Sequence, residues 1–224
     1  MIEEVVAILS GDLKLEGVLS YKEDLKIPGA LTLILSPHPF LGGDMNNNVI
    51  KAISKVVAEA GHVALRFNYR GMGNSQCDID LKQNQKEFWD KSTCPEYEQK
   101  IHLDSIAAYQ YLIQAFDDIE HQNVLGYSFG CLPALDLGYK YVQIKKVFLV
   151  APPIAKWDIP NTHLQMPKHK LIYYAPGDFA CPEDELQKIY QTLSEPKNIT
   201  RINAGDHFFI GHENELTCQI AESL

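Results

Sequence analysis

Three features of this 224-residue sequence predict an α/β fold: a mainly parallel, doubly wound sheet with helices on both faces. From residue 31 onward, short apolar runs alternate with segments of helical period, the pattern of successive βαβ units. The first of those runs, Leu31–Leu35, does not alternate apolar with polar residues, as expected of a strand buried on both sides. Ahead of them, two β-rich stretches flank Gly11-Asp12, a turn signal that places an antiparallel hairpin at the start. The length suits one well-buried core and a single domain over residues 1–224.

The elements follow in order. Val5–Leu9 and Leu13–Tyr21 are the hairpin strands, and Leu31–Leu35 (LTLIL) is the first fully buried strand. Asn46–Ala60 sets Val49, Ile50, Ile53, Val56, Val57 and Ala60 on a helical period, with Gly61 as its stop. His62–Phe67 is a strand and Ile101–Phe116 an amphipathic helix; Val124–Tyr127 is a strand that runs into a helix from Phe129. Strands at Val147–Val150 and Leu171–Ala175, a helix near Glu183–Leu193, a strand at Ile199–Ile202 and a helix around Glu213–Glu222 complete the series. The connection Gln76–Lys100 is longer than an ordinary βα loop and carries Phe88, Trp89, Cys94 and Pro95. Two readings of it stay open: a small lid or specificity insertion, or a surface excursion that packs its own aromatics.

Composition narrows the function. With 46% hydrophobic and 22% charged residues the chain is ordinary globular protein. A net charge of -9 argues against nucleic-acid or anionic-membrane surfaces, which need clustered Lys and Arg. No segment approaches the roughly 18 apolar residues of a membrane span, and the N-terminus, MIEEVVAILSGD, lacks a basic leader region. The five cysteines are scattered without a CxxC pair, so reduced thiols and a cytoplasmic location are expected. Of the eight histidines none falls in HExxH, and His207 and His212 do not share a helical face; no metal and no cofactor are expected.

In open parallel sheets, chemistry collects on loops at the carboxyl ends of the strands. Residues 36–44, 68–76, 127–130, 151–158, 176–182 and 203–210 are those loops here. One holds Gly126-Tyr127-Ser128-Phe129-Gly130, a GxSxG pentapeptide between a strand and a helix, where a serine sits on a strained turn with its hydroxyl exposed. Serine needs a base to become a nucleophile, and His207, on the loop after the last strand, is placed to be one. Asp178, directly after Leu171–Ala175, is the carboxylate expected to orient that histidine. The order Ser128, Asp178, His207 differs from that of chymotrypsin and of subtilisin.

Acyl transfer also needs donors for an oxyanion. The Phe129 N–H follows the nucleophile at a helix start. A second donor should come from Ser36-Pro37-His38-Pro39-Phe40-Leu41-Gly42-Gly43, where the prolines leave His38, Phe40 and Leu41 as candidates and Phe40 is preferred. His38 reads as a brace of that loop rather than a base. Substrate-binding candidates are His38, Leu41, Met72, Trp89 and Tyr127, with Phe40, Phe88, Phe129 and Trp157 as further apolar wall. The glycine-rich Asn68–Ser75 lacks the third glycine of GxGxxG and any Gly-Lys-Ser/Thr, so it reads as a structural turn.

These residues resemble the α/β-hydrolase fold family over nearly the whole chain, and within it the small, cap-poor bacterial hydrolases related to dienelactone hydrolase. Five motifs carry the likeness in family order: Ser36-Pro37-His38-Pro39, Asn68–Ser75, Gly126–Gly130, Gly177-Asp178 and Asp206-His207-Phe208-Phe209. The resemblance implies Ser128 as nucleophile, Asp178 as acid, His207 as base, and the Phe40 and Phe129 amides as the oxyanion hole. It departs at Ser36, where the family more often has a histidine, and in the length of 76–100. The implied activity is a serine hydrolase acting on a small-molecule carboxylic ester or thioester. A peptidase or a lactone hydrolase would use the same triad, the latter with a cation such as Arg70 for a substrate carboxylate. A catalytically silent binding protein on this fold is the reading from another class.

Overall fold

The computed structural model describes residues 1–224. Strands β1 (Ile2–Ser10) and β2 (Leu13–Tyr21) form the expected hairpin, in register from Ile2–Tyr21 to Ser10–Leu13. Then come β3 (Leu31–Leu35), α1 (Asn48–Glu59), β4 (Val63–Phe67), α2 (Leu81–Lys91), α3 (Pro95–Ala115), β5 (Gln122–Tyr127) and α4 (Cys131–Lys140). The chain closes with β6 (Ile144–Val150), α5 (Asn161–Leu164), β7 (His169–Tyr174), α6 (Glu183–Thr192), β8 (Lys197–Arg201) and α7 (Glu213–Ala221). One eight-stranded sheet runs in the order β1-β2-β4-β3-β5-β6-β7-β8. The β1–β2 and β2–β4 pairs are antiparallel and every other pair is parallel.

Side-chain alternation along the central strands divides the core into two layers. Leu31, Leu33 and Leu35 of β3, Val124 of β5, and Val147 and Leu149 of β6 face one side, where α3 and α4 add Tyr97, Ile101, Tyr109 and Leu135. Ile34, Leu125, Phe148 and Val150 face the other, packed by Val49, Ile50, Ile53 and Val57 of α1 and Leu216 and Ile220 of α7. Both faces being covered explains why these strands read as unbroken apolar runs. No helix is long and apolar enough to cross a membrane.

The 76–100 connection is largely helical. The Asp80 carboxylate caps α2 by accepting from the Gln83 N–H at 3.1 Å, and Pro95 opens α3, six residues before the expected start. Phe88, Cys94 and Tyr97 are buried in the main core, and the Cys94 thiol donates to Asn84 Oδ1 at 2.9 Å. The segment is a wall of the fold.

Between β3 and β5 the chain reverses its direction of travel across the sheet, since β4 lies on one side of β3 and β5 on the other. Such a switch point opens a crevice at the carboxyl ends of the two strands. The loops carrying residues 36–43 and Ser128 leave the sheet there.

Candidate active site

Ser128 follows β5 directly, in a 3-10 turn (Ser128–Gly130) that leads into α4. Its φ is +54°, a left-handed conformation that a serine adopts only when its surroundings impose it. The flanking glycines are what impose it. A Cβ on Gly126 would lie 2.2 Å from the Gly130 carbonyl oxygen, and one on Gly130 would lie 2.2 Å from that of Leu35. Turn, helix start and β3 therefore pack backbone to backbone, and the Ser128 hydroxyl is turned outward.

The structure brings the three polar candidates into one line. Ser128 Oγ lies 2.8 Å from His207 Nε2, and His207 Nδ1 lies 2.9 and 2.8 Å from the two oxygens of Asp178. All three residues are buried. Asp178 Oδ1 also accepts from the N–H groups of Ala180 (2.7 Å) and Cys181 (3.0 Å), which fix the carboxylate before it meets the ring. The acid and base loops are pressed together at Gly177, where a Cβ would lie 2.2 Å from the Gly205 carbonyl oxygen.

Tyr127 holds the histidine from behind: its hydroxyl donates to the His207 carbonyl at 2.9 Å, and its ring stacks on the imidazole at 5.7 Å between centroids. Burial, with Asp178 and Asp206 nearby, pushes the Tyr127 phenol well above its ordinary range, so it remains a donor. Cys181 and Cys131 are pushed up by burial in the same way, which keeps both thiols protonated.

The Phe129 N–H has no acceptor within the protein. The Phe40 N–H is not free: it donates to His38 Nδ1 at 3.1 Å, because Pro37 and Pro39 wind the loop into a 3-10 turn (Pro39–Leu41) that His38 caps. The Leu41 N–H is bonded to the His38 carbonyl at 2.9 Å. An oxyanion would have to compete with His38 for the preferred second donor. His38 itself is fully buried, stacked on Phe88 at 4.4 Å, and holds a pKa of about 3 through burial and, secondarily, the positive charge of Lys156. A group so resistant to protonation cannot serve as a second base near neutral pH, which agrees with a bracing role.

A cavity of about 150 Å³ opens at Ser128 and His207. Leu41 and Tyr127 line it, as expected, and so does Trp157. His38, Met72 and Trp89 do not: His38 is enclosed by aromatics, Met72 belongs to a turn away from the cavity, and Trp89 projects into solvent against Phe88. No residue of 76–100 lines the cavity. Wall residues that sequence reasoning missed are Asn47, Pro153, Lys156, Phe179 and Phe208. Phe179 and Phe208 directly follow Asp178 and His207 in sequence, a signal that could have found them.

The 68–76 loop contributes nothing to the cavity either. Asn68 accepts from the Met45 N–H at 2.9 Å and donates to Glu16 at 2.8 Å, while the Ser75 hydroxyl donates to the Asn68 carbonyl at 2.8 Å. Arg70 is buried beneath it, bound to Asp104 at 2.6 Å and Asp78 at 2.7 Å. With its guanidinium engaged there, Arg70 is not available to a substrate carboxylate, which corrects that expectation.

No protein-family model matches the chain. It is 27% identical over 202 residues to an uncharacterized protein of Rickettsia prowazekii (strain Madrid E), covering 87% of this chain and 78% of that one. Among solved structures, it superposes on an α/β serine hydrolase homologue from Coxiella burnetii with a TM-score of 0.83 at 24% identity, over 100% of this chain and 98% of that one. It superposes on an α/β serine hydrolase without a lid from Xanthomonas campestris with a TM-score of 0.77 at 18% identity, over 98% and 92% of the two chains.

Proposed function

The chain has the α/β-hydrolase fold, and from that premise we propose that it is a serine hydrolase cleaving a small carboxylic ester or thioester through an acyl-enzyme on Ser128. The observation that carries this reading is the continuous line from Asp178 through His207 to Ser128 Oγ, ending at the cavity. In this scheme His207 Nε2 takes the hydroxyl proton as Ser128 Oγ attacks the carbonyl carbon. Asp178 holds the Nδ1 proton and stabilises the imidazolium. The Phe129 N–H donates to the carbonyl oxygen as it becomes negative, joined by the Phe40 N–H once that bond is exchanged from His38. His207 then protonates the departing alcohol or thiol, and water, activated by the same ring, releases the acid.

The cavity bounds the substrate. At about 150 Å³ it accommodates a group of roughly benzene size, so a short acyl chain or a single ring is favoured over a long chain. Its mouth is apolar, with Leu41, Phe179 and Phe208 exposed around it. Turnover of 4-nitrophenyl esters from acetate to decanoate tests the reading. Activity should peak at the short acyl chains and fall about 10⁴-fold or more in Ser128→Ala. Undiminished turnover in that variant would contradict the nucleophile assignment.

A further inference from the structure

The cavity at Ser128 carries one permanent charge. Lys156 is the sole Lys, Arg, Asp or Glu among the residues that line it. Its ammonium enters no ion pair with any carboxylate of the protein, in a chain whose net charge is -9. An unneutralised cation at the cavity of an acidic protein is a local positive focus in a field that otherwise repels anions.

The backbone beneath it is fixed. Pro152 and Pro153 stiffen the turn after β6, the Lys156 N–H donates to the Pro153 carbonyl at 3.1 Å, and the Ala155 N–H donates to the Ala180 carbonyl at 3.1 Å. That last bond ties the lysine-bearing turn to the loop of Asp178, so the backbone that carries Lys156 is held in place while the exposed ammonium remains unpaired. Aromatic groups stand in the same wall: Trp157 is adjacent in sequence, and Phe179 and Phe208 have ring centroids 6.3 Å apart. The charge also reaches the buried His38 outside the cavity wall, since Lys156 contributes, after burial, to holding that ring neutral.

We propose that Lys156 sets the specificity of this site by selecting esters or thioesters that carry an oxyanionic group, carboxylate or phosphate, on an otherwise apolar skeleton. The inference rests on the hydrolase reading above. Lys156 takes no part in bond making; it attracts and orients the anion while the aromatic rings take the apolar portion.

Three esters with one acyl group and one ring test it: methyl 4-butyryloxybenzoate (neutral), 4-butyryloxybenzoate (carboxylate) and 4-butyryloxyphenyl phosphate. The readout is kcat/KM for each charged ester divided by that for the neutral one, taken within each protein so that a general loss cancels. From wild type to Lys156→Met the ratio should fall about three- to tenfold, and further in Lys156→Glu. Raising NaCl from about 20 to 500 mM should lower the wild-type ratio and leave that of Lys156→Met nearly flat. The ester with the larger fall identifies which oxyanion the site prefers. Equal ratios in the three proteins, with the neutral ester turned over, would overturn the inference and leave the hydrolase reading standing. If wild type cleaves none of the esters and Ser128 resists a fluorophosphonate, the hydrolase reading fails and takes the inference with it.

Discussion

The Tyr127 hydroxyl donates to the His207 carbonyl at 2.9 Å, joining the residue that precedes Ser128 to the histidine that faces it across 79 positions of sequence. One side chain thus sets the distance between the strand end and the base loop. In Tyr127→Phe the carbonyl loses its donor while the ring packing remains. Stability should fall by about 0.5–1.5 kcal/mol. The kcat on a short ester should fall by about tenfold with KM little changed, as expected of looser positioning rather than lost binding. Steady-state kinetics and chemical denaturation measure the two effects separately.

Asp104 is fully buried and accepts from the Arg70 N–H (2.9 Å), Nε (3.1 Å) and Nη2 (2.6 Å) as well as from the Ser10 hydroxyl (2.7 Å). Asp104→Ala should cost about 3 kcal/mol, because it leaves the buried Arg70 with Asp78 as its one remaining carboxylate partner. The double variant Asp104→Leu/Arg70→Met should recover much of that loss. Urea unfolding of the two proteins distinguishes them.

His38 gives stability a dependence on pH. Its folded pKa of about 3, against about 6.5 when unfolded, means that between these values the unfolded chain binds the extra proton. Its contribution is complete above pH 6.5 and is lost as pH falls toward 3. The stability advantage of wild type over His38→Asn should therefore shrink by about 2–3 kcal/mol between pH 7 and pH 4.5. A constant difference across that range would refute the assignment.

Gly130→Ala would place a methyl 2.2 Å from the Leu35 carbonyl oxygen, forcing β3 away from the nucleophile turn. We expect a loss of more than about 2 kcal/mol or failure to fold. Gly205→Ala meets nothing within 4 Å, and its cost in stability should stay below about 1 kcal/mol. Thermal melts of the pair supply the comparison.

What the sequence made legible follows from its physics. Leu31–Leu35 and Leu13–Tyr21 have the boundaries expected of them, because a strand buried on both faces or one closing a tight hairpin is written locally. Helix α2 was hidden, since only Asn84 and Phe88 among its side chains are buried and its polar residues mask any helical period. Its signals were chemical instead: the Asp80 cap at its start and Pro95 just beyond it. Ser128, Asp178 and His207 were readable because each directly follows a strand or lies on the loop after one, and topology alone sends those loops to one edge. The cavity wall was not readable in the same way. Whether Lys156, Phe179 or Trp89 faces Ser128 depends on how loops distant in sequence cross, which no periodicity records. The Phe40 N–H is engaged for a local reason, the His38 cap, that residue types alone do not reveal.

The central claim is that His207 activates Ser128. A fluorophosphonate probe followed by peptide mass spectrometry tests it most directly. One adduct is expected, on Ser128, absent in Ser128→Ala and formed orders of magnitude more slowly in His207→Gln. Folded wild-type protein that shows no adduct at Ser128, or labels equally fast without His207, would contradict it.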